Sequence, residues 1–214
     1  MIFPFPGKKK LIYLITKGSL TRENYHLGSQ ETLKIIEKAV ESRIHLIQIR
    51  EKLLPVKIVF DLLCSALKIA ENTDTKILAN DRIDIALAAN AHGVHLTSKS
   101  LPTNKVRATV PENFLIGVST HTHRDAARAK DEGADFATFS HIFPTASKSD
   151  SCNPKGLNEL QRVCRALSPF PIVALGGISE TNYESVLDNG ARGFAAITFL
   201  NNSRTLGEIG RIFN

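Results

Sequence analysis

At 214 residues, 43% hydrophobic and 22% charged, the chain has the composition of a globular protein able to bury a core. No apolar run approaches the roughly 20 residues of a membrane helix, and MIFPFPGKKK places its lysines after its apolar residues, unlike a signal peptide. The net charge of +6 is dispersed except at Lys8, Lys9 and Lys10, and no helix-turn-helix, RNP-like or zinc-finger spacing accompanies it, so nucleic acid is not an expected partner. Cys64, Cys152 and Cys164 are odd in number and lack CxxC spacing, as reduced thiols of a cytoplasmic protein would be.

Short apolar runs recur along the chain: LIYLIT (11–16), HLIQIR (45–50), KILAN (76–80), GVHL (93–96), LIGVS (115–119), FATFS (136–140), PIVAL (171–175) and GFAAI (193–197). They are continuous rather than alternating, which is the pattern of strands covered on both faces. Between them the spacing predicts helices over Ser29–Arg43 behind a Ser29 cap, and over Pro55–Glu71 with Pro in the first turn. Arg82–Ala89, Arg124–Glu132, Leu157–Leu167, Glu180–Asn189 and Thr205–Phe213 follow, with Pro102–Val110 the weakest pattern. Eight strands alternating with eight helices predict an α/β fold, a single (β/α)8 TIM barrel. An open doubly wound sheet would be expected to carry GxGxxG after its first strand, and KGSLTRENY does not match. No linker divides the chain, so residues 1–214 read as one domain.

In such a barrel the residues ending each strand share one rim. Collected, they are Gln48, Arg50 and Lys52; Asn80 and Asp81; His95; Ser119 and His121; Ser140 and His141; Gly176 and Gly177; Ile197 and Thr198. Chance would scatter such polar, basic and glycine residues among the helices as well. FATFSHIFPTASKSDSCNPKG (136–156) takes a buried strand into a loop with Thr145, Ser147 and Lys148, one lip of an anion-binding site. ALGGI (174–178) and GFAAIT (193–198) fall where barrels bind phosphate on backbone N–H groups, although two glycines also suit a tight turn. In QIREK (48–52) alternation projects Gln48, Arg50 and Lys52 together, a fork and a point charge for an anion; the bland alternative is a solvated loop with an Arg50–Glu51 surface pair. Asp81 is either a metal ligand or the cap of the following helix, and spacing alone favours the cap. His141 on the rim is a candidate proton shuttle. His121 and His123 in STHTH read as a helix start and, with Lys10 and Lys17, as background.

Taken together, QIREK (48–52), NDRIDIAL (80–87), GVHL (93–96), GVSTH (117–121), IFPTASK (142–148), PIVALGGI (171–178) and GARGFAAI (190–197) resemble one family over nearly the whole chain. It is the thiamine-phosphate synthase family with its sister group, the TenI-type thiazole tautomerases. The resemblance implies a thiamine-biosynthesis enzyme acting on a thiazole phosphate, and it allows a homodimer. In the synthase pattern Gln48, Arg50, Lys52, Asn80, Asp81, His95, Ser119, Thr145, Ser147, Lys148, Gly177, Ile197 and Thr198 fall on substrate-binding positions, with Asp81 a magnesium ligand.

Two departures favour the tautomerase branch. Where synthases resemble GQED after GVHL, this chain reads TSKS, which puts Ser100 in the place of an aspartate. Where synthases resemble GPIFPT it reads SHIFPT, which puts His141 where tautomerases resemble GH. The leading expectation is therefore a thiazole tautomerase with His141 as acid/base. Gly176, Gly177, Ile197 and Thr198 would cradle the phosphate, Arg50, Lys52 and Lys148 would face the carboxylate or another anion, and no cofactor would be needed. The alternatives are a magnesium-dependent thiamine-phosphate synthase and a non-catalytic binder of thiazole or thiamine phosphates.

Overall fold

The computed structural model describes residues 10–145 and 153–213. Its elements are β1 (Leu11–Ile15), α1 (Tyr25–Glu41), β2 (Leu46–Ile49), α2 (Val56–Ile69), β3 (Lys76–Asn80), α3 (Ile83–Ala88), β4 (Gly93–Leu96), α4 (Thr103–Arg107), β5 (Leu115–Thr120), α5 (His123–Asp131), β6 (Phe136–Ser140), α6 (Gly156–Leu167), β7 (Ile172–Leu175), α7 (Tyr183–Asp188), β8 (Gly193–Ala196) and α8 (Ser203–Phe213). The strands close into a barrel in sequence order, β1 to β8, and the expected (β/α)8 fold is the one found. Every residue of β1, β2, β4, β6 and β8 is buried, which is why these runs read as continuous apolar stretches. Among the described residues no helix is long and apolar enough to cross a membrane.

The chain falls into two compact units, Tyr13–His95 with Ile197–Asn214, and Leu96–Ala196 with the chain up to Ile12. In the first, β2 pairs with β3 in the register Gln48↔Leu78, and β3 with β4 in the register Asn80↔His95. Here α8 approaches the end of α1 at Gly210, where a Cβ would lie 2.7 Å from the Ser42 carbonyl oxygen. In the second, β5 pairs with β6 through Ser119↔Thr138, and β6 with β7 through Ser140↔Leu175. There Lys10 donates to the carbonyls of Leu187 and Ala191 and so satisfies acceptors at the end of α7.

The helix starts depart from the sequence expectation more than the strands do. Ser29 does not cap α1: the helix begins at Tyr25, and Ser29 is buried inside it with its hydroxyl toward the His26 carbonyl. The local order comes from Asn24, whose side chain accepts from Thr21 N–H and donates to the Ser19 carbonyl. By contrast α5 carries a full capping box, with Thr122 and Asp125 each accepting from the other's backbone N–H. The weak pattern over 102–110 yields only the five residues of α4. Tertiary bonds hold it: Arg107 donates to the carbonyls of Gly133 and Phe114 and pairs at 2.6 Å with Asp135. Asp135 also accepts from Ile116 N–H at 2.7 Å, which ties α4 to the start of β5.

Removing Arg107 strands the largely buried Asp135 carboxylate and two carbonyls. Arg107→Ala is therefore expected to lower stability by about 3 kcal/mol, read as a fall in urea midpoint at constant m. A change below about 0.5 kcal/mol would mark the cluster as a surface pair instead.

Candidate active site

In the unit that holds β2 and β3, the strand ends are locked by one buried carboxylate. Glu51 is 4% exposed and accepts from the N–H groups of Gly18 at 3.1 Å and Leu20 at 3.0 Å. The alternation expected of QIREK is present, but Glu51 fastens the β1–α1 loop rather than pairing with Arg50 on the surface. Arg50 donates its N–H to the Thr16 hydroxyl at 2.8 Å. Gly18, at φ +73°, lies so close to Arg50 that a Cβ would stand 2.7 Å from a guanidinium nitrogen. Gln48, 2% exposed, donates to the Asn80 side chain at 3.2 Å, so the amides of β2 and β3 form one pair. Lys52 is exposed in the turn beyond.

Asp81 does not cap α3. The N-cap position is Arg82, which makes no side-chain cap bond, and Asp81 takes a left-handed φ of +66° with its N–H on the His95 carbonyl. That places Asp81 at the start of the loop that leaves β3. His95 is 3% exposed, with Nδ1 3.1 Å from the Tyr13 hydroxyl, and burial drives its pKa down to about 3. It works as a neutral ring. At the end of β8, the Ile197 carbonyl accepts from both the N–H and the side-chain amide of Asn201, which also reaches the Ile15 carbonyl. Ile197 is half-buried and Thr198 exposed.

In the other unit the site is organised by the way β6 meets β7. Gly176 and Gly177 have φ of +97° and +69°. A Cβ on Gly176 would overlap His141, and one on Gly177 would lie 2.5 Å from the Pro144 carbonyl oxygen. The two glycines are therefore required by close approach to the β6 loop. Two bonds keep that approach, Ile142 N–H to Leu175 and Phe143 N–H to Gly176, and the Asn182 side chain donates to the Gly177 carbonyl within the loop after β7. His141, 3% exposed after a cis Ser140–His141 peptide, accepts at its carbonyl from Lys155 N–H, which sets the start of α6. Thr145 is half-buried; Ser147, Lys148 and Cys152 lie outside the described residues.

His121, set aside as background in the sequence, ends up at the exit of β5 with Nδ1 3.0 Å from the Ser140 carbonyl and 3.1 Å from its hydroxyl. The signal was available, since His121 belonged to the collected rim positions. It lines a cavity of about 250 Å³ together with Thr97, Ser100, Ser119, Asp125 and Arg128. Ser100 uses its hydroxyl to accept from Thr97 N–H at 2.7 Å, closing the turn after β4. Among the described residues no three His, Cys, Asp or Glu side chains group as metal ligands. Magnesium is commonly held by one or two carboxylates plus substrate phosphates and water. Asp81 thus suits an ion bound mainly by its ligand.

Barrels of this (β/α)8 class carry their active sites at the C-terminal ends of the strands. The chain belongs to the thiamine monophosphate synthase family, whose profile matches residues 12–200. It is 36% identical to a putative thiamine-phosphate synthase of Geobacter sulfurreducens, over 87% of this chain and 84% of that one. It is 34% identical to the thiamine-phosphate synthase of Caldicellulosiruptor bescii, over 90% and 87% respectively. The solved thiamine phosphate pyrophosphorylase from Pyrococcus furiosus superposes with a TM-score of 0.80 at 27% identity, covering 96% of each chain. The family is the expected one. These relatives are named as synthases, and none of them singles out the tautomerase branch.

Because His95 is held neutral, the folded state binds fewer protons than the unfolded chain between the ordinary histidine pKa, ~6.5, and about 3. Stability contributed by His95 is complete above that window and falls as pH drops through it. Urea titrations should show a stability slope over this range that His95→Gln flattens; an unchanged slope would mean that His95 is not the group responsible.

Proposed function

We propose that this chain is a thiamine-phosphate synthase, joining a pyrimidine diphosphate to a thiazole phosphate, and that residues 1–214 act as one domain. The observation that carries this reading is the set Gln48, Arg50, Asn80 and Asp81 at the ends of β2 and β3, with Gln48 and Asn80 already paired and Arg50 enclosed by Gly18. A tautomerase does not require so complete a set, and the relatives named as synthases support the same choice.

In the reaction the CH2–O bond of the pyrimidine diphosphate breaks, and its electron pair leaves on diphosphate. The thiazole nitrogen lone pair then forms the new CH2–N bond. Charge grows on the leaving oxygen, where the Arg50 fork and the Lys52 point charge oppose it at little reorganisation cost. Magnesium, when bound at Asp81, would neutralise further diphosphate charge. Gln48 and Asn80 orient the substrate through amide groups that need no protonation change. Gly176, Gly177, Ile197 and Thr198 serve the thiazole phosphate, with Thr145, Ser147 and Lys148 as further anion partners.

A second reading, thiazole tautomerase, is favoured by a specific pair of observations: Ser100 stands where synthases resemble aspartate, and His141 is present at the end of β6. In that reaction a histidine takes a proton from a ring carbon and one is returned to the exocyclic carbon, without metal.

Purified protein given pyrimidine diphosphate, aromatic thiazole phosphate and magnesium should form thiamine phosphate, and Arg50→Ala should lose about 10²-fold or more in kcat/KM. Asp81→Ala should fall comparably and lose its magnesium dependence. No product under conditions where a known synthase works, beside conversion of the non-aromatic carboxythiazole phosphate, would replace this reading with the tautomerase.

A further inference from the structure

We propose that His121 is a proton-accepting residue of the substrate site, presenting an unprotonated Nε2 to a ring N–H or acidic C–H of the bound heterocycle. The assignment rests on the reading that this rim binds a heterocyclic phosphate.

The argument begins with the tautomer. A carbonyl oxygen can only accept, so the 3.0 Å contact between Nδ1 and the Ser140 carbonyl requires the proton on Nδ1. The Ser140 hydroxyl, 3.1 Å from the same nitrogen, shares that N–H as a second acceptor. Were the hydroxyl the donor instead, the Nδ1 lone pair would face the carbonyl lone pairs. A neutral imidazole protonated on Nδ1 carries its lone pair on Nε2.

The surroundings then decide what that lone pair can do. His121 is half-buried and lines the cavity beside Ser119 and Ser100. Among the described residues its Nε2 has no hydrogen-bond partner, because both of its bonds are made by Nδ1. Of the two carboxylates that line the same cavity, Asp125 accepts from Thr122 N–H in the capping box, and Glu132 accepts from Thr103 N–H at 3.1 Å. His121 offers the cavity a ring nitrogen that makes no bond among the described residues.

The step balances without a further reactant. The X–H bond of the heterocycle breaks and its electron pair stays on the ring. The proton passes to Nε2, and the imidazolium keeps its Nδ1–H on the Ser140 carbonyl. The reverse transfer returns the proton to the ring or to solvent. Under synthase chemistry the donor is an N–H made acidic as diphosphate leaves; under tautomerase chemistry it is the ring C–H.

Long-range 1H–15N spectra of uniformly labelled protein above neutral pH, assigned with His121→Asn, test the first half. The expected result is an Nδ1–H tautomer whose Nε2 signal moves when thiamine phosphate is added. His121→Asn tests the second half, since its amide N–H can keep the bond to the Ser140 carbonyl while offering no basic lone pair. It should retain the wild-type urea midpoint and still bind thiamine phosphate, yet lose about 10²-fold or more in turnover. A proton on Nε2, an Nε2 signal indifferent to ligand, or wild-type turnover by His121→Asn would overturn the proposal. Failure of the broader reading would show differently, as absence of both binding and turnover in the wild type.

Discussion

The close approach of the β7 glycines to the end of β6 is the constraint on which the unit spanning Leu96–Ala196 depends. Gly176 and Gly177 adopt backbone angles that side-chain-bearing residues rarely tolerate, and each lies where a Cβ would strike the β6 loop. Because the two loops touch backbone to backbone, Ile142 and Phe143 can bond to Leu175 and Gly176. That contact buries His141 and holds the Ser140 carbonyl where His121 reaches it. The start of α6 follows through Lys155 and Gly156, which bond to His141 and Ile142. Glycines that look like phosphate ligands in the sequence are first of all a packing requirement, and any phosphate role is added to it.

The unit spanning Tyr13–His95 solves the same problem with charge. Glu51, buried, gathers two N–H groups of the β1–α1 loop, so that Gly18 closes against Arg50. A guanidinium enclosed this way loses less freedom on binding an anion than one on an open loop, which is how a rigid scaffold sharpens a single cation. His95 adds a neutral donor–acceptor ring held by Tyr13, in an interior where a charged ring would be costly.

The barrel was legible because each of its strands left a local trace, a run of four to six residues buried nearly throughout. The site was legible only where position along a strand carried the information, as at Gln48, Arg50, Asn80 and His141. Roles set by distant partners were not. Nothing local says that Glu51 bonds Gly18, that Asn201 reaches the Ile15 carbonyl, or that Tyr13 meets His95 across 82 positions. Ser29 misled because a good capping residue also fits inside a helix when it is packed. Asp81 misled because the chain turns left-handed there and passes the cap position to Arg82. His121 was discounted by its sequence neighbours, although its strand-end position had already placed it on the rim.

The central claim of the proposed function is that Arg50, at the end of β2, is the principal cation for the diphosphate of the pyrimidine substrate. Calorimetric titration of the purified protein with inorganic diphosphate and magnesium, in wild type and Arg50→Ala, tests this most directly. The account predicts that Arg50→Ala binds diphosphate about 10²-fold more weakly than the wild type, ~2.8 kcal/mol, while keeping its fold. Diphosphate affinity untouched by Arg50→Ala, or no diphosphate binding by the wild type, would contradict it.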